Sequence, residues 1–102
     1  MAKARVELQT ILEKVLGSRN VYFQPPASIR MSYPAIVYEL DDMPPSHADN
    51  QVYLQNNRYK VTVIDSDPDS KIPAQIAHLP MCRFNTRYTS DNLNHTVFEL
   101  YF

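Results

Sequence analysis

Asp65, Asp67 and Asp69 carry the most chemistry per residue: three carboxylates at alternate positions, directly after the apolar run Val61-Thr62-Val63-Ile64. Carboxylates so spaced can gather a divalent cation, or divide nucleophilic and proton-handling roles between them. As a calcium loop they would fill the first, third and fifth positions. That loop also needs a glycine for its sharp turn and a bidentate glutamate at its end, and Ser70 and Ile76 stand there instead. The competing reading is a turn leading into a helix, where carboxylates accept orphan amide hydrogens and favour the positive end of the helix dipole. We adopt the turn, with no metal site and no catalytic residue.

The same strand-plus-Asp-x-Asp also resembles the first motif of haloacid-dehalogenase-type phosphatases. That resemblance implies that Asp65 attacks phosphorus and Asp67 handles the proton beside magnesium. The sequence departs from it at Asp69, where that family carries threonine or valine. Only 33 residues follow, too few for a doubly wound domain. His47, His78 and His95 lie apart in a loop, a helix and a strand, without ligand spacing. Cys82 is the single cysteine, so no intrachain disulfide can form, and it reads as a small buried thiol. Ser46-His47 is a loop dipeptide with no recognisable nucleophile environment. No cofactor is expected.

The elements that position these residues follow from periodicity. Leu8, Ile11, Leu12 and Val15 make one helical stripe, widened by Leu16 and stopped by Gly17. Residues 18–34 read as irregular, with Pro25-Pro26 in their middle. Ala35 to Leu40 alternates as a strand, and Asp41 to Gln51 reads as a loop. Val52 to Ile64 is the clearest strand. A short helix follows, with Pro73 in its first turn, Ile72, Ile76 and Leu79 inward, and Pro80 beyond. Cys82 to Tyr88 and His95 to Phe102 are two further strands, joined by a turn at Ser90-Asp91-Asn92. The expectation is one α+β domain over residues 1–102. It has a four-stranded, mainly antiparallel sheet in the order α-β-β-α-β-β, with two helices on one face.

With 102 residues, 44% of them hydrophobic, the chain has material for one core. The amino terminus lacks the apolar stretch of a signal peptide, and no run reaches membrane-spanning length, which implies cytoplasmic synthesis and no membrane partner. The formal charge of −1 argues against wholesale wrapping of nucleic acid. On the sheet face away from the helices, strict alternation places Glu39, Arg58, Lys60, Arg83, Arg87, Glu99 and Tyr101. Arg58, Lys60, Arg83 and Arg87 could form a cationic stripe for a phosphate backbone. The outward positions offer few aromatics for base stacking, and Glu39 and Glu99 can neutralise part of the stripe. A protein-facing surface is therefore preferred, with a small nucleic-acid-binding module as the alternative and no specific nucleic acid expected.

Tyr33-Pro34-Ala35-Ile36-Val37-Tyr38 after an amino-terminal helix, Arg58-Tyr59-Lys60-Val61-Thr62-Val63, the Asp65–Asp69 turn, and the paired terminal strands through Asn92-Leu93-Asn94-His95 together resemble a known group. They are similar to the tail terminator, or tail completion, proteins of the head–tail joining region of long-tailed phages and prophages. The resemblance spans about residues 4–102 and rests on element order rather than an invariant motif. It implies a structural virion protein that forms a homo-oligomeric ring, usually of six subunits, capping the tail tube and meeting the head connector. It implies no reaction. Given a ring, Asp41, Asp42 and Asp49 in the proline-stiffened 41–51 loop would line or rim the channel, where negative charge repels DNA phosphates. A solvated loop kept polar for solubility is the competing account.

Overall fold

The apolar stripe of Leu8 and Leu12 is fully buried on α1 (Arg5–Leu16), which ends at Gly17 in the left-handed region, φ 81°. Its amide closes the last turn onto the carbonyl of Glu13 at 2.9 Å. This computed structural model describes residues 4–42 and 57–102. After α1 come β1 (Val21–Phe23), β2 (Ala35–Asp42), β3 (Arg58–Asp65), α2 (Ile72–Ala77), β4 (Cys82–Ser90) and β5 (Leu93–Tyr101). Among the described residues the sheet has five strands in the order β1-β2-β3-β5-β4.

The α+β class and the two helices on one face agree with expectation; the strand count does not. Val21-Tyr22-Phe23, expected to be irregular, pairs in parallel with Ile36-Val37-Tyr38 and makes the sheet mixed. Parallel neighbours need a return path across a sheet face. Residues 24–34 supply it on the side opposite the helices, entering β2 through a cis Tyr33–Pro34 bond. The remaining pairs, β2–β3, β3–β5 and β5–β4, are antiparallel.

The core lies between the helices and one sheet face: Leu8, Leu12, Ile36, Tyr38, Tyr59, Val61, Val63, Ile76, Phe98 and Leu100. The Tyr38 hydroxyl is deep in this layer and is held by α1. It accepts from Arg5 Nη1 at 2.8 Å and donates to Gln9 Oε1. Gln9 Nε2 continues to the Val21 carbonyl at 3.0 Å, so one polar chain fixes α1 against both β1 and β2. Arg5 also stacks over Phe23, 4.4 Å from the ring centroid. Burial raises the Tyr38 hydroxyl above its ordinary range, against the opposing pull of Arg5.

The β4–β5 hairpin closes on Asp91 and Asn92, both at positive φ (54° and 63°), the geometry of a two-residue turn suited to strand twist. Asp and Asn are the side chains that tolerate it best after glycine. Further along, Phe84 faces Phe98 but Thr86 faces Val97, so Asn85 is an extra residue and β4 carries a bulge. A second irregularity at Asp41 interrupts β2 between Leu40 and Asp42.

Candidate protein-interaction surface

The cross-strand register assigns each expected surface residue to a face. Glu39, Lys60, Glu99 and Arg83 stand side by side on four adjacent strands, away from the helices. The row alternates in sign, and its last pair is a loose ion pair, Arg83 Nε to Glu99 Oε1 at 3.7 Å. Asn85 Nδ2 donates to the other Glu99 oxygen at 3.3 Å. One step along, Arg58 lies opposite Tyr101 and also meets Asp41, Nε to Oδ2 at 2.9 Å. Tyr101 and Asp41 together push the Arg58 guanidinium above its already high ordinary value. Six of the seven expected residues therefore share the expected face.

Arg87 does not. The extra residue at Asn85 reverses the alternation beyond it, so Arg87 pairs with Thr96 on the helix side of the sheet. There it reaches the Pro68 carbonyl at 3.3 Å. Tyr88 takes the place assigned to Arg87 and lies flat against His95, centroids 4.7 Å apart and planes at 11°. The cationic stripe is thus broken: Arg87 is on the other side, and Arg58 and Arg83 each have a carboxylate partner. Nor is this face fully open. Ala35, Ile64 and Val97 are buried on it, and residues 25–31 wall a shallow groove of about 330 Å³ against Val37, Thr62 and Tyr88.

Asp41 and Asp42 belong to the end of β2 rather than to a free loop, and Asp41 is bound to Arg58. Asp49 and the rest of the expected channel loop lie outside the described residues. The Asp65–Asp69 turn is built from its own side chains. Asp65 Oδ1 accepts from the Asp67 amide at 3.0 Å, and Asp67 Oδ1 from the Asp69 amide at 2.9 Å. Among the described residues no three His, Cys, Asp or Glu side chains converge as metal ligands would. Cys82 is half-buried, and burial pushes its thiol up to about 11.

Periodicity revealed β4 as a strand but not its edge position or its exposure. It is the last strand of the described sheet, and none of its nine residues is buried. Phe84 is 57% exposed on the helix side, while Tyr88 is 49% exposed on the opposite side. The other edge, β1, is three residues long and is followed by Pro25-Pro26, which obstructs pairing. Among the described residues one edge is closed and the other is open.

No protein-family model matches this chain, and no curated protein or solved structure is detectably similar to it. The surface must therefore be read from its own chemistry. A long edge, uncovered among the described residues, with aromatics on both sides and alternating charge nearby suits another polypeptide better than a small molecule or a phosphate backbone.

Proposed function

We propose that this chain is a structural protein that works by self-association, and that its place is the head–tail joining region of a phage or prophage particle. The observation that carries the first half is β4, whose nine residues offer a free edge and two exposed aromatics. Edge strands in proteins that stay alone are kept short, charged, covered, or broken by proline or a bulge. β4 has a bulge and two arginines, but it is nine residues long and uncovered among the described residues. The place in the particle rests on the sequence resemblance described above.

In this role copies of the chain form a closed ring that terminates the tail tube and contacts the head connector. A ring requires a heterologous contact, one surface of a subunit against a different surface of the next. The alternating row of Glu39, Lys60, Glu99 and Arg83 is a suitable half of such a contact, because it offers both signs to a partner of similar chemistry. The same row speaks against duplex binding, since each of its cations neighbours a carboxylate.

The test is composition and position. Particles purified from cells that make the protein should contain it in a small fixed copy number, and gold-labelled antibody should mark the head–tail junction. The genes beside its own should encode capsid and tail components. A protein that stays free of particles, among unrelated genes, overturns the proposal.

A further inference from the structure

β4 is complementary to itself. The strand's hydrogen-bonding directions follow from two anchors. Asn57 and Phe102 exchange both backbone bonds between β3 and the chain end, and the Tyr101 amide donates to the Met81 carbonyl at 3.1 Å. Alternation from there directs Leu93, His95, Val97, Glu99 and Tyr101 of β5 towards β4. Their partners Ser90, Tyr88, Thr86 and Arg83 therefore turn their amides and carbonyls inward. Thr89, Arg87, Phe84 and Cys82 turn theirs out to the open edge. Because of the extra residue at Asn85, these four outward positions are placed symmetrically about the point between Asn85 and Thr86.

We propose that the open edge of β4 pairs antiparallel with β4 of a second copy, around a two-fold axis passing between Asn85 and Thr86. Cys82 then meets Thr89 of the other copy, and Phe84 meets Arg87, as hydrogen-bonded pairs on the helix side. Arg83 meets Tyr88 as a non-hydrogen-bonded pair on the opposite side, where side chains come closest. Every pair joins residues that already share a face. Each arginine of the strand falls opposite an aromatic ring, so the contact contains two Arg83–Tyr88 and two Phe84–Arg87 cation–π pairs.

The bulge selects the partner. A regular strand cannot match both halves of an edge that carries an extra residue, and such bulges ordinarily deter foreign strands. A second β4 carries the same interruption at the same place, so the two offsets coincide on the axis. Two arginines on one edge likewise repel a basic strand, and a second β4 sets an aromatic ring opposite each of them. The contact is isologous and closes at two copies. It rests on the same β4 edge that carries the proposed self-association, and a ring would need a second, heterologous contact elsewhere on the subunit.

The experiment is light scattering and sedimentation of the full chain, with charge exchange across the axis. The 11.8 kDa chain should run as a dimer that dissociates on dilution. Phe84→Lys places a cation opposite Arg87 of the other copy and should weaken the dimer about tenfold. Phe84 is exposed, so the monomer fold should persist, checked by circular dichroism. Adding Arg87→Glu to that variant sets Lys opposite Glu across the axis and should restore the dimer. A chain that is monomeric at the highest soluble concentration overturns the proposal. So does a dimer indifferent to Phe84→Lys, or a double variant no tighter than the single. None of these results bears on whether the protein belongs to a phage particle.

Discussion

Tyr88 lies parallel to His95 across the β4–β5 ladder, with ring centroids 4.7 Å apart. The stack exists because Asn85 is an extra residue: without that offset the ring would stand on the helix side of the sheet, and Arg87 would be here instead. Tyr88 is half-exposed, so truncation should cost only the pairing and part of the burial. Tyr88→Ala should lower stability by about 1 kcal/mol, while Tyr88→Phe should leave it nearly unchanged. Chemical denaturation of the two variants measures the difference.

The bulge makes an unusual deletion harmless. Removing Asn85 brings Phe84 and Thr86 together opposite Phe98 and Val97, and every other β4 side chain keeps its face. Only the Asn85–Glu99 hydrogen bond, which is exposed, is lost. The shortened protein should remain folded within about 1 kcal/mol of the parent, with the His95 ring protons still shifted by Tyr88. Deleting Thr62 from the centre of β3 has no such compensation and should abolish folding.

Tyr38→Phe tests the polar chain that fixes α1. The change removes the hydroxyl shared by Arg5 and Gln9 and leaves the buried ring in place. Arg5 and Gln9 are only partly buried and can recruit water, so the loss should be about 1 kcal/mol rather than the larger cost of a stranded buried group. Thermal unfolding should show the decrease, and amide exchange in α1 should quicken.

Cys82 gives a pH-dependent prediction. Burial raises its thiol from 9.0 to about 11, so the folded protein favours the neutral form more than the unfolded chain does. The thiol's contribution to stability is complete below 9.0 and is lost as pH rises through about 11. Alkylation should therefore be slow for the native protein at pH 8 and speed up in denaturant. A native rate equal to that of the denatured chain would contradict the burial.

Gly17 ends α1 at φ 81° with nothing within 4 Å of the place where a Cβ would stand. Gly17→Ala therefore tests backbone strain alone, without a clash. It should cost about 1 kcal/mol, and Gly17→Asn should cost less, because asparagine visits the left-handed region more readily.

The long periodic segments could be read from the sequence because their burial is one-sided. Leu8 and Leu12 lie inward on a helix, and Tyr59, Val61 and Val63 alternate inward on a strand. β1 escaped that reading because three residues are too few to show a period; Val21-Tyr22-Phe23 is visible only as an apolar patch. The bulge escaped for another reason. Phe84, Thr86 and Tyr88 keep a perfect apparent alternation, and Asn85 is an ordinary polar residue between them, so the offset appears only in the register with β5. Arg87 was misplaced as a result, whereas Glu39, Lys60, Arg83, Glu99 and Tyr101 lie on uninterrupted ladder, and Arg58 keeps its face because the Asp41 irregularity is on the neighbouring strand.

The parallel pairing of β1 gives the amino-terminal part of the chain the mechanics of a spring clip. One jaw is α1, pressed on the core; the other is residues 25–31, lying along the reverse of the sheet; β1 is the bend between them. The jaws are joined through a single short strand, so opening one loosens the grip of the other. A cut after Arg30, on an exposed stretch, would free the outer jaw at one end and leave Val21-Tyr22-Phe23 held only by α1 and its short ladder to β2. Trimming this terminus therefore undresses two surfaces at once, whereas the β4–β5 hairpin at the far side, closed by its own turn and ladder, would keep its shape.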